Sequence, residues 1–228
     1  EFHIGHLMSN AIGESISRVL DFAGAKIKRT TWQSDVGLSI AKAVFGKIKQ
    51  PGFSWQEAYV WGTKTYEEDE YAKREIIALN KNIFERSDKA VNKLYDEGKK
   101  WSLAYFDVIY KKLGTKFDYL IFESQAVGLA KKIVAGGLKN GVFENGENGA
   151  IIFKGEKFGL HTRVFINSEG LPTYEAKELA LAKIKYDKYK YDKSVIVTGS
   201  EINEYFKVLM CAMLQVFPDL QKKTKHIG

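Results

Sequence analysis

The chain has 228 residues, 45% hydrophobic and 28% charged, enough apolar material for one sizeable core or for a domain carrying a long insertion. No run of about 18 apolar residues occurs and no basic-then-apolar leader opens the chain, so neither a membrane span nor an export signal is expected, and the cytoplasm is the natural compartment. A net charge of +7 favours an anionic partner such as phosphate or nucleic acid, and the single cysteine, Cys211, excludes an internal disulfide or a thiolate zinc cluster and reads as a core thiol.

After "HIGH" at residues 3–6, apolar residues Leu7, Ala11, Ile12, Ile16, Val19, Leu20 and Ala23 recur at helical spacing, with Gly24 placed to end the helix. "AKIKRTTW" (25–32) reads as a strand and "QSDVG" as the turn after it. That puts Asp35 and Gly37 at the strand's carboxyl end, where open α/β sheets place ligands. From about 51 to 114 charged helical patterns dominate, a helical insertion whose charge runs read as solvated faces.

The alternation of strands and helices then resumes. "FDYLIF" (117–122) is a short apolar strand that delivers Glu123 and Ser124 at its end, and a helix follows over 126–141. The Gly-rich segment 142–172, in which His161 falls on a strand, predicts two or three short antiparallel strands closed by Pro172. Helix 174–190, strand 193–199 and helix 204–217 complete the pattern, and the Lys/Tyr run "KIKYDKYKYDK" reads as an exposed helix end entering a strand.

The first motif carries the chemistry. Backbone N–H groups at a helix start attract anions, Gly5 allows close approach of a base or phosphate, and His3 and His6 project from one face, so two imidazole donors can reach the same phosphate. Such a site suits ATP. His-x-Gly-His alone is only four letters, and its reading as ordinary helix filler stays open until its context is added.

That context is the ordered set "HIGHLMSNAIGESISRVLDFAGAKIKR", "SDVGL", "LGTKFDYLIFES", "GLPTYEAKEL", "YDKYKYDKSVIVTGSE" and "KHIG". In order and spacing it resembles the catalytic domain of class I arginyl-tRNA synthetases over nearly the whole chain, least through 51–101. The resemblance implies an α/β fold with a Rossmann-type parallel sheet, flanking helices, a helical insertion and a small antiparallel β element. It implies that His3, Gly5, His6 and Gly199 bind ATP, with His3 and His6 stabilising charge on the α-phosphate, and that His226 touches the nucleotide. It places the substrate guanidinium on Glu123, Tyr174 and Glu178. Physically, a planar, permanently charged group with many donors needs carboxylates in fork geometry beside a flat side chain, and Tyr174 and Glu178 are four apart on one helix face.

Three departures from the family pattern stand out: Glu178 where aspartate is usual, Ile202 where a glutamine usually contacts the substrate amino group, and Ser34 where glycine is favoured. Without the resemblance, Glu178 is equally readable as a surface carboxylate paired with Lys177 or Lys183. The implied activity is arginine–tRNA ligation with ATP and its Mg2+, L-arginine and tRNA(Arg) as partners, in a monomer without a resident metal site. A different HIGH-type nucleotidyltransferase, or a non-catalytic paralogue or fragment that binds arginine, nucleotide or RNA, is the alternative. Both chain ends look cut, and the lysine-rich loop that closes over ATP and the anticodon-binding domain are expected outside these residues. The 228 residues alone are therefore expected to have little or no aminoacylation activity.

Overall fold

Helix formation begins on a capping residue: His3 is extended (φ −124°, ψ 176°) and α1 runs from it over Ile4–Phe22. The structure is a computed structural model and describes residues 2–228. Gly24, at φ +90°, follows the helix in the left-handed region, as its place in the sequence predicts. The strand expected over 25–32 is shorter, because the paired segment is β1, Thr30–Gln33, matched residue for residue in parallel with β2, Tyr119–Phe122. A parallel pair needs a crossover. Here it is helical throughout: α2 (Leu38–Lys49), α3 (Trp55–Glu68), α4 (Glu70–Glu85) and α5 (Lys89–Leu113).

Local chemistry sets where these helices start. Gly37 (φ +119°) leads into α2, a Ser54/Glu57 capping box opens α3, and Asp69 and Asp88 each accept two backbone N–H bonds at the starts of α4 and α5. Pro51 lies in the turn between α2 and α3, so the helical stretch begins ahead of it at Leu38. Residues 30–124 form one compact unit. Its core includes Val44, Phe45, Ile76, Ile83 and Ile121, all buried.

Residues 2–29 and 125–228 form the second unit. It holds α1, most of α6 (Glu123–Lys139) and the antiparallel strands β3 (Glu144–Asn145), β4 (Ile151–Phe153) and β5 (Arg163–Ile166). After them come α7 (Tyr174–Lys188), β6 (Ser194–Val197), α8 (Asn203–Val216), α9 (Pro218–Lys223) and β7 (Thr224–Ile227). The order β3-β4-β5 confirms the small antiparallel element, its core filled by Phe143, Phe153 and Phe165. β6 and β7 pair in parallel with α8 and α9 between them. The α/β class with parallel strands and flanking helices is thus observed, and among the described residues the parallel bonding comes as two two-stranded ladders, β1-β2 and β6-β7.

Three local expectations change. α1 packs beside β6 yet buries no residue completely, and Ile4, Met8, Val19 and Phe22 are exposed, so its apolar spacing is helical without being a core stripe. His161 lies in the exposed connection before β5 and not on a strand. The Lys/Tyr run is only partly solvated: Tyr191 is buried edge-on against Tyr186, and the Nζ of Lys185 donates to Ser194 Oγ at 2.9 Å. Cys211 sits on α8, half-buried, and burial pushes its thiol up.

The sharpest packing constraint is between α2 and α3. A Cβ on Gly46 would stand 2.1 Å from the carbonyl oxygen of Ala58, and one on Gly62 2.1 Å from that of Lys42, so the two backbones touch directly. Gly62→Ala should therefore destabilise the chain by about 1–3 kcal/mol through overpacking. Denaturant unfolding of the variant checks this, and an unchanged midpoint would show that the helices can separate without cost.

Candidate active site

The histidines of the first motif cap the helix that follows them. His3 caps α1, its Nδ1 accepting the Gly5 N–H at 3.1 Å, while His6 Nδ1 accepts the His3 N–H at 3.2 Å. This is a capping box built from imidazoles in place of Ser and Glu. Because both Nδ1 atoms act as acceptors, Nε2 is the ring nitrogen of each that is left to donate. Burial, then the charge of His3, holds His6 below its usual value, so it is neutral at pH 7. The rings lie 3.8 Å apart, and a Cβ on Gly5 would come 3.1 Å from the His3 ring, which adds a second reason for glycine there. The Glu14 carboxylate accepts from Arg18 Nε at 2.8 Å and Arg29 Nε at 2.9 Å, tying α1 to the segment that follows it.

Asp35 behaves differently from its sequence reading. It is 6% exposed, and its carboxylate accepts four bonds: the Ser124 N–H at 2.8 Å on Oδ1, and Ser124 Oγ at 2.7 Å, Tyr95 OH at 2.8 Å and Lys99 Nζ at 2.7 Å on Oδ2. Its place at the strand's carboxyl end is occupied by protein donors and not offered to a ligand. Burial raises this carboxyl and the bonds, the one from Lys99 first, outweigh it, so the acid lies below its ordinary value. Tyr95 is pushed upward, first by its burial and then by the Asp35 charge. Lys99 also stands 3.7 Å over the Phe122 ring. Tyr95 and Lys99 lie four apart in a charged helix, a spacing no different from a solvated face, so no sequence signal distinguished them.

Glu123 is the first residue of α6 and 2% exposed, directly after β2, as the strand-end reading predicts. Tyr174 and Glu178 lie one turn apart on α7. Glu178 is 3% exposed, which overturns its reading as a surface carboxylate, and Lys183 pairs instead with Asp187 at 2.5 Å. Burial pushes Lys185, two turns further along, below its usual value, opposed by the attraction of Glu178.

A chain of rings joins Tyr174 to the far end of the second unit. Tyr174 meets Tyr205 at 5.3 Å, Tyr205 meets Phe206 edge-on at 5.2 Å, and Phe206 stacks on His226 at 3.7 Å and 6°. His226 Nε2 shares a 2.7 Å hydrogen bond with Thr198 Oγ1, and burial lowers its pKa. Thr198 precedes Gly199, where a Cβ would fall 2.1 Å from the Glu201 carboxylate. Ile202 lies in the single turn Ser200–Ile202 ahead of α8. The Glu201 carboxylate thus lies against Gly199 itself.

A sequence model of the family described as "tRNA synthetases class I (R), catalytic domain" matches residues 1–228. The chain belongs to this family. The arginine–tRNA ligase of Borrelia garinii subsp. bavariensis is 31% identical over 99% of the chain and 42% of the relative, and that of Treponema pallidum is 29% identical over 99% of the chain and 40% of the relative. The chain thus spans about two fifths of the length of the curated relatives it matches. Among solved structures, the arginyl-tRNA synthetase of Plasmodium falciparum superposes with a TM-score of 0.78 at 21% identity, over 100% of this chain and 40% of that one. The Thermus thermophilus enzyme gives 0.63 at 20% identity, over 100% and 45%. These likenesses establish the class I synthetase fold of the family. Among the described residues no helix is long and apolar enough to cross a membrane, and no group of three or more His, Cys, Asp or Glu is placed to hold a metal.

In this family member Asp35 also makes stability depend on pH. Its acid is lowered in the folded chain, so its contribution is complete above the ordinary value of 3.8 and is lost as the pH falls through the lower native value. Urea unfolding from pH 7 to pH 3 should show Asp35→Asn least stable relative to the unsubstituted chain at neutral pH, with the gap narrowing below about pH 4. A gap independent of pH would contradict the ionised form as the one that is bonded.

Proposed function

We propose that this chain is the nucleotide- and amino-acid-binding part of an arginine–tRNA ligase, which activates L-arginine with ATP to arginyl-adenylate and transfers it to tRNA(Arg), as a cytoplasmic monomer. The observation that carries the reading is the pair of imidazoles at the start of α1, held 3.8 Å apart with Nδ1 engaged on the backbone. That leaves Nε2–H as the donor each neutral ring directs away from the helix cap, a pairing suited to the phosphates of ATP. ATP arrives with magnesium as a substrate, and the ion's charge assists the departure of pyrophosphate.

The arginine carboxylate attacks the α-phosphorus. A new P–O bond forms to the carboxylate oxygen, the bond to the bridging oxygen breaks, and pyrophosphate leaves with that electron pair. His3 and His6 donate to the phosphate oxygens on which charge gathers, and Gly5 keeps the backbone open to them. Gly199 and His226 complete the nucleotide contacts in this reading. In this reading Glu123, Tyr174 and Glu178 receive the guanidinium, carboxylates and a flat side chain of the kind that a planar, permanently charged fork requires. The net charge of +7 supplies attraction for the phosphates of the tRNA acceptor stem.

Amino-acid-dependent ATP–pyrophosphate exchange, run with tRNA in the protein carrying this chain, tests the reading. Arginine should support exchange and lysine should not. His6→Asn should lower kcat by about 10²–10³, as expected for one preorganised donor to developing charge. Preference for lysine or glutamine would dismiss the pocket assignment, and a fully active His6→Asn would dismiss the phosphate role.

A further inference from the structure

Asp35 stands outside the proposed machinery, yet it holds the residue next to Glu123. Glu123 and Ser124 lead α6, and the amides of a helix's first turn have no partner within the helix. Asp35, on the loop after β1, accepts the Ser124 N–H at 2.8 Å and the Ser124 hydroxyl at 2.7 Å, so it caps α6 from a different element. The Ser124 N–H belongs to the peptide that joins Ser124 to Glu123, and that peptide is planar, so fixing its nitrogen fixes the carbonyl and Cα of Glu123 as well. Negative charge at this end of α6 is also favoured by the helix dipole.

The remaining donors explain how a nearly buried carboxylate can be kept ionised there. Lys99 supplies the opposing charge at 2.7 Å and Tyr95 a neutral bond at 2.8 Å, both from α5. Arg86 in turn lies 4.6 Å from the Tyr95 ring and bonds Asp96 with both carboxylate oxygens, at 2.8 and 3.0 Å. The loop after β1, the start of α6 and one face of α5 therefore meet on a single carboxylate.

We propose that Asp35 is a positioning residue for Glu123, setting the stance of the guanidinium-binding carboxylate through the Glu123–Ser124 peptide and locking it to α5 through Lys99 and Tyr95. It does not touch the substrate. Asp35→Asn keeps the volume but places an amide nitrogen, which accepts nothing, among four donors. Its one remaining oxygen can serve the Ser124 N–H or the three donors at Oδ2 but not both, so the link from the Glu123–Ser124 peptide to α5 is broken, and arginine binding weakens in the ground state and the transition state alike.

The proposal rests on Glu123 binding the guanidinium, and the test separates the two. In ATP–pyrophosphate exchange with tRNA, using the protein carrying this chain, Asp35→Asn should raise KM for arginine about tenfold while kcat and KM for ATP stay within about twofold. Added to Glu123→Gln, it should raise KM for arginine no further, because the residue it positions has been disabled. A fall in kcat at unchanged KM, or KM effects of the two substitutions that multiply, would overturn the positioning role while leaving Glu123 in the pocket. Glu123→Gln with an unchanged KM for arginine would remove the pocket assignment and the proposal with it. Should Asp35→Asn fail to fold, Ser124→Ala removes only the hydroxyl bond and should raise KM for arginine about threefold, again with no further effect on Glu123→Gln. An unchanged KM in Ser124→Ala would then overturn the proposal.

Discussion

A carboxylate that is almost out of solvent must find partners, and the way Asp35 finds them organises the first unit. Four donors from three places in the sequence, Ser124, Tyr95 and Lys99, converge on its two oxygens. Leaving even one of those donors buried and unbonded is costly, so the loop after β1, the start of α6 and the middle of α5 cannot shift independently. The β1-β2 pair supplies the alignment that makes this possible, since parallel register brings Gln33 opposite Phe122 and so places the two strand ends side by side.

The second unit solves a related problem with rings. His3 and His6 use one nitrogen each to cap α1, so the helix start itself fixes how both rings are oriented. Tyr174, Tyr205, Phe206 and His226 form a continuous line of contacts from the first residue of α7, across α8, to β7. His226 is thereby held flat on Phe206 and oriented by Thr198, whereas its neighbour Ile227 serves the ladder by accepting the Thr198 N–H at 3.0 Å. On α7 both Lys177 and Glu178 are buried, among Ala176, Leu179, Ala180 and Leu181.

Glycine marks where backbones meet. Gly46 and Gly62 permit α2 and α3 to touch through carbonyl groups, and this contact makes the helical crossover between β1 and β2 a packed layer. Helix caps at Ser54, Asp69 and Asp88 fix where each helix begins, so the length of each element and the closeness of their packing have separate causes.

Signals that depend on neighbouring residues were legible in the chain itself. The helix after "HIGH", the antiparallel element of 142–172, the short strands ahead of Glu123 and Gly199, and the spacing of Tyr174 and Glu178 all follow from periodicity, turn residues and caps, whose physics acts over a few positions. The family, too, was readable from the order of its motifs. What the amino-acid order could not disclose was which polar groups become buried. Glu178 reads as equally able to face water or a pocket, Tyr95 and Lys99 resemble any charged helix face, and the apolar spacing of α1 resembles a core stripe that the fold leaves half in solvent. Desolvation and hydrogen bonding between residues 60 to 89 positions apart, as at Asp35, are set only when tertiary packing excludes water, and only the tertiary structure decides them.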